Sequence, residues 1–151
     1  MSHKGIRSLI EITAKSLGDN IEFTYARKSD FNVLRDKKYP FIALDPLVSV
    51  ATFSDNNTFN YSKTWTANMA FYDLDVESSD GDQYREILDR MDDLIDKFIT
   101  KLNFTSQDVD GIIITSINQQ PFVKATADIL TGFFLSFNIQ VPDNWDYCRD
   151  C

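Results

Sequence analysis

Histidine is almost missing: His3 is the only one in the chain. Nucleophile systems of the Ser-His or Cys-His kind need an imidazole base. His3 falls where a helix end is expected to fray, so such catalysis is not expected. Cysteine is nearly as scarce. The two present form one motif, Cys148-Arg149-Asp150-Cys151. They make no disulfide framework, and one CxxC supplies two ligands where structural zinc takes four. Redox motifs of this kind open a helix after a strand. The expectation is two exposed thiols on a tail, in a protein that folds in a reducing cytoplasm. No apolar run approaches the ~18–20 residues that span a bilayer. The opening residues lead into an amphipathic stretch and not into a signal peptide's apolar core. Basic runs are short, Arg27-Lys28 and residues 35–38, and the net charge is −8. Nucleic-acid binders carry the opposite sign or a basic stripe. Gripping DNA is therefore not expected, whereas standing beside it is compatible with this balance. Neither GxxxxGK[ST] nor GxGxxG occurs, and there is no repeat or low-complexity tract.

What is present is ample material for a core. The chain is 43% apolar and 13% aromatic over 151 residues, which suits one domain. Residues 1–142 read as that domain and residues 143–151 as an acidic, aromatic tail.

The central element is predicted over residues 79–104. Tyr84, Ile87, Leu88, Met91, Leu94, Ile95, Phe98, Ile99 and Leu102 keep a 3.6-residue rhythm. Ser79 or Asp80 can cap it, and acids crowd its first turns, where the helix dipole favours them. Such a helix needs a sheet to lie on. Ahead of it, Ile6, Leu9, Ile10, Thr13, Ala14 and Leu17 predict a helix over residues 5–17, with Gly18 as its stop. A half-buried strand follows at residues 21–25. Residues 26–38 read as a surface loop anchored by Phe31 or Leu34. Residues 41–44 form a short strand, bent at Asp45-Pro46 and continued over 47–53. With residues 59–76 this makes a long hairpin, whose outer part, 53–63, is polar enough to project. After the central helix, residues 111–115 read as a strand and 118–121 as a turn. Residues 129–141 alternate cleanly, odd positions apolar, until Pro142 ends pairing. Strands come as consecutive neighbours, so the fold class is α+β: a mostly antiparallel sheet with a long hairpin and two helices on one face.

Asp73, Asp75, Glu77, Asp80 and Asp82 lie close enough to raise divalent-cation binding. They lack the glycine and terminal glutamate of an EF-type calcium loop, and a solvated strand end explains them better. Asp89, Asp92, Asp93 and Asp96 read as a solvated helix face. No metal or other cofactor is expected. The aromatics are a different matter. Phe59, Tyr61, Trp65, Tyr72, Phe134, Trp145 and Tyr147 are too many for one small core, and their excess points to an interface with another chain. The candidate interface comprises the hairpin residues Asp55, Asn56, Asn57, Phe59, Tyr61 and Trp65 and the tail residues Trp145 and Tyr147.

Residues 21–30, the Tyr39-Pro40-Phe41-Ile42 strand opening and the closing Leu130-Thr131-Gly132-Phe133-Phe134 with Cys148 resemble small structural proteins of tailed phages and prophages of Bacteroidetes. The element order is similar to that of the tail terminator, or tail completion, family. That resemblance implies a virion subunit without catalytic residues. It implies closure into a ring, usually a hexamer, that caps the tail tube and touches head-completion or neck proteins while DNA passes nearby. An acidic ring would present a negative lumen along which DNA slides without sticking. Assembly in the host cytoplasm and residence in the tail or neck follow from the same likeness. A head-closure or minor tail protein is the nearest alternative. More distant ones are a small binding module and a metal-dependent enzyme with a cleft gathering Asp73, Asp75 and Asp80.

Overall fold

A computed structural model describes residues 3–25, 40–53, 61–74, 82–108, 112–123 and 130–141. The elements in chain order are α1 (His3–Lys15), β1 (Glu22–Tyr25), β2 (Phe41–Leu44), β3 (Val48–Phe53), β4 (Tyr61–Leu74), α2 (Asp82–Asp108), β5 (Ile113–Phe122) and β6 (Leu130–Val141). The fold is α+β: the described residues form two helices and one mostly antiparallel six-stranded sheet in the order β1-β2-β4-β6-β5, with β3 paired to β4 beside β2.

β4 is the spine. Of its 14 residues, those from Lys63 (opposite Val141) to Leu74 (opposite Leu130) pair with β6 along one edge. Along the other edge β2 and β3 follow each other, Phe41 opposite Tyr72 and Val48 opposite Thr66. Residues 45–47 bend the chain between them, with the Asp45 amide donating to the Asn68 carbonyl at 2.9 Å. The expected hairpin and its bend at Asp45-Pro46 are therefore present.

Alternation sorts the side chains. Trp65, Ala67, Met69 and Phe71 of β4 face the helices together with Leu135, Phe137, Ile139 and Val141 of β6. Onto them α2 lays Ile87, Met91, Ile95, Phe98 and Leu102, all buried. Each such side chain stabilises by roughly 1.5–3 kcal/mol before entropy is counted. α1 adds Ile6, Leu9, Ile10 and Ala14 to the same core, and Lys101 of α2 reaches its end, Nζ donating to the Ser16 carbonyl at 2.9 Å.

Four expectations need correction. Residues 118–121 are not a turn. The irregularity lies between Thr115 and Asn118, where Ser116 has φ 56°, and the ladder then resumes through Pro121↔Phe133 to Phe122↔Gly132. Pro121 is tolerated because β5 is an edge strand. The central helix runs on to Asp108, past its expected end at residue 104. The mostly antiparallel sheet is as expected, with β1 paired to β2 in parallel. His3 is not a frayed tail residue: it opens α1, its Nε2 lies 2.9 Å from Tyr25 Oη, and its ring packs against Trp65.

The fourth concerns three of the aromatics in the expected excess, Trp65, Tyr72 and Phe134. Tyr72 is 1% exposed and Trp65 3% exposed. The sheet has a second apolar cluster, on the face away from the helices, made of Phe41, Ala43, Ala70, Tyr72 and Leu130 with Phe122 and Phe134 against them. Phe41 stacks on Tyr72 at 5.3 Å between centroids, and Phe122 lies 4.4 Å from Phe134. Two cores, one on each face, absorb aromatics that one core could not.

Candidate functional site

Asp55, Asn56, Asn57, Phe59, Trp145 and Tyr147 lie outside the described residues, as do Asp75, Glu77, Asp80 and both cysteines. Tyr61 opens β4 opposite Phe53. Trp65 belongs to the helix-side core and not to a free surface. Its ring is capped by Lys63, whose Nζ stands 4.4 Å from the centroid. Its indole N–H is buried without a hydrogen-bond acceptor among the described residues. Beside it, the Leu47 amide donates to Tyr25 Oη at 3.1 Å, which leaves the tyrosine hydroxyl hydrogen able to meet His3 Nε2. This junction ties α1, β1, β4 and the β2–β3 bend together.

Asp73 is held by Arg90, Oδ2 to a guanidinium nitrogen at 3.4 Å, so it is tied to α2. No group of three or more His, Cys, Asp or Glu placed to hold a metal occurs among the described residues. No helix among them is long and apolar enough to cross a membrane.

What the hairpin does show is β3 itself. Val48 is 59% exposed and Val50 61% exposed, and Ser49 between them is exposed too. The strand is thus open on both faces over this length. Exposed β-branched residues on an outer strand are the kind of surface that a partner covers.

The ladders extend this surface across the sheet. Val50, Thr64, Gln140 and Ile113 form one row, and Val48, Thr66, Asn138 and Thr115 form the next. Asn68, Ser136 and Asn118 form a third. These rows carry no charged side chain. Thr66 Oγ1 donates to Asn138 Oδ1 at 3.0 Å across the middle of the patch. Where the patch meets the second core lies a cavity of about 310 Å³, whose lining includes Asp45, Asn68, Asn118, Gln120, Phe134 and Ser136. Hydroxyls and amides can donate and accept, so such a face hydrogen-bonds a partner without burying charge. The apolar run 41–44 was a sequence signal for the second core, because a strand buried on both faces reads as continuous rather than alternating. The open patch gave a weaker signal, the polar even positions of β6 toward its end.

No protein-family model matches the chain, and no curated protein matches it.

Proposed function

We propose that this chain is a structural subunit of a phage virion, a tail terminator or neck protein that acts as part of a ring, caps the tail tube and joins it to the head. It works by binding and symmetry, with its own copies and with tail-tube and head-completion proteins as partners. The observation that carries the reading is β3, which holds Val48 and Val50 out to solvent beside an uncharged sheet face. A heterologous ring contact needs one patch that meets a different patch on the neighbour, and the exposed β3 supplies such a patch.

The test is Val48→Lys with Val50→Lys. Both side chains are exposed, so the unfolding temperature should stay within a few degrees of the parent. Mixed with purified tail tubes and viewed by negative stain, the parent should give capped, annular tube ends and the double variant bare ones. A parent that leaves the tube ends bare would overturn the reading.

A further inference from the structure

Two rows of the sheet's far face meet in a depression of mixed chemistry. The ladders place Asn68 opposite Ser136 and Ser136 opposite Asn118 in one row. The next row holds Ala43, Ala70, Phe134 and Gln120. Ser136 and Ala70 are short, while Asn68, Asn118, Gln120 and Phe134 around them are long. The long side chains make a rim and the short ones a floor, which gives the cavity of about 310 Å³. Asp45 closes one side. Its amide donates to the Asn68 carbonyl at 2.9 Å, which holds the β2–β3 bend against β4. Phe134 forms the aromatic part of the wall, steadied by Phe122 at 4.4 Å between centroids.

Three amides, a hydroxyl and a carboxylate thus converge on one small space. Nearby polar side chains that serve the fold are bonded, Thr66 to Asn138 and Gln119 to Asp92. The side chains of Asn68, Asn118, Gln120 and Ser136 make no such bond among the described residues, and the three amides are exposed. Each amide can donate and accept.

The chemistry of the rim selects the ligand. No lysine or arginine stands in the far-face rows of β2, β3, β4, β6 and β5 among the described residues, and Asp45 adds negative charge. A phosphate or carboxylate would meet no counter-charge here. An extended peptide draws its affinity from a free strand edge, whereas this space lies over β6, which is paired along both edges. A nucleobase is held by stacking between two walls, and among the described residues one aromatic ring lines the cavity. At twice the strand spacing, Asn68 and Asn118 stand about 10 Å apart across Ser136. That span holds one six-membered ring with its hydroxyl groups. A neutral pyranose carries hydroxyls around its circumference, each a donor and an acceptor. Its C–H bonds suit the negative face of an aromatic ring. Pockets for small ligands begin at about 300 Å³, so the space suits a single sugar unit.

We infer that this depression binds a neutral pyranose. Asn68 and Asn118 hydrogen-bond hydroxyls on opposite sides of the sugar. Gln120 and Ser136 reach those between, and Asp45 accepts from a further one. The C–H face rests against Phe134. The site includes neither Val48 nor Val50, so it and the virion reading stand or fall separately.

The test is a titration of the isotope-labelled full chain with the methyl glycosides of glucose, galactose and mannose, followed by NMR. At least one should shift the side-chain amide signals of Asn68, Asn118 and Gln120 saturably, with a dissociation constant in the millimolar range. Maltose and lactose tell the source: tighter binding than the glycoside marks the end of a glycan, equal binding a single sugar. Glucuronate should bind about fivefold more weakly than the best glycoside, because its charge meets Asp45. Asn118→Ala and Gln120→Ala alter exposed residues, so the unfolding midpoint should hold. Each should weaken the best glycoside about three- to tenfold. Absent or unsaturable shifts with all three glycosides overturn the inference, and so do saturable shifts confined to other parts of the chain. Glucuronate binding as tightly as the glycoside, adenosine binding more tightly, or variants that bind like the parent would overturn it too.

Discussion

The two faces of the sheet are built from the same strands and do opposite work. The helix side is apolar between its ends: Trp65, Ala67, Met69 and Phe71 in β4 meet Leu135, Phe137, Ile139 and Val141 in β6, under α1 and α2, with Lys63 and Asp73 at the two ends of the row. The far side changes character halfway. Tyr72, Ala70, Phe41 and Ala43 are buried at one end, while Thr64, Thr66, Val48 and Val50 lie at the other without charge and not buried. The difference teaches where stability and recognition reside. A face sealed by two helices over its middle stabilises the fold. A face sealed over half its length leaves the other half available to a partner, at little cost to the monomer.

The strongest way to break this division is at the helix-side core. Phe98 sends its ring edge-on to Phe71 at 5.5 Å and tilted to Phe137 at 6.1 Å, and it is fully buried. Phe98→Ala should cost about 3–5 kcal/mol, read from the shift of the urea midpoint at unchanged slope. A cost under about 1 kcal/mol would mean that α2 does not seal the face.

Next comes Gly132, opposite Tyr72 in the second core. A Cβ built there would fall 1.9 Å from the Phe71 carbonyl oxygen and 2.7 Å from Tyr72 Cα. Both obstacles are backbone, so β4 and β6 must move apart. Gly132→Ala should cost about 1–3 kcal/mol or somewhat more, and near-ultraviolet circular dichroism should show the Phe41–Tyr72 stack disturbed. An unchanged midpoint would show that the strands are not so closely apposed.

The sequence made one of these faces legible and half of the other. In β6 the odd positions from Leu135 to Val141 are the buried helix-side ones, as alternation alone implied. In β2 the run Phe41-Ile42-Ala43-Leu44 hid a two-sided strand, because consecutive apolar residues do not say which faces are covered. Asn118-Gln119-Gln120-Pro121 reads locally as a turn, yet pairing with β6 outweighs that preference on an edge where proline lacks no needed donor. Contacts between residues far apart in sequence were out of reach. His3 finds Tyr25 and Trp65 only once α1 lies beside β1 and β4. Of the candidate interface, Trp65 was misread because its aromatic bulk suits a core as well as a contact. The exposed valines of β3 were passed over because they look like core in an alternating strand.

The finest test lies on the open half of the far face. Thr66 Oγ1 and Asn138 Oδ1 are 3.0 Å apart and partly buried. Thr66→Val keeps the shape of the side chain and the preference for a strand but removes the donor. If this half is open to water in the isolated chain, the freed amide of Asn138 finds solvent. The cost should then stay below about 1 kcal/mol. If instead the patch is sealed in the monomer, Asn138 loses its partner in a dry place, and the loss should approach the 1–3 kcal/mol of a buried unsatisfied group. Measured beside Val48→Lys/Val50→Lys, the substitution separates two uses of one patch. Small effects on the unfolding midpoint from both variants, together with loss of tube capping in the lysine variant, would mark it as a surface kept for binding. A large effect of Thr66→Val would place it with the core.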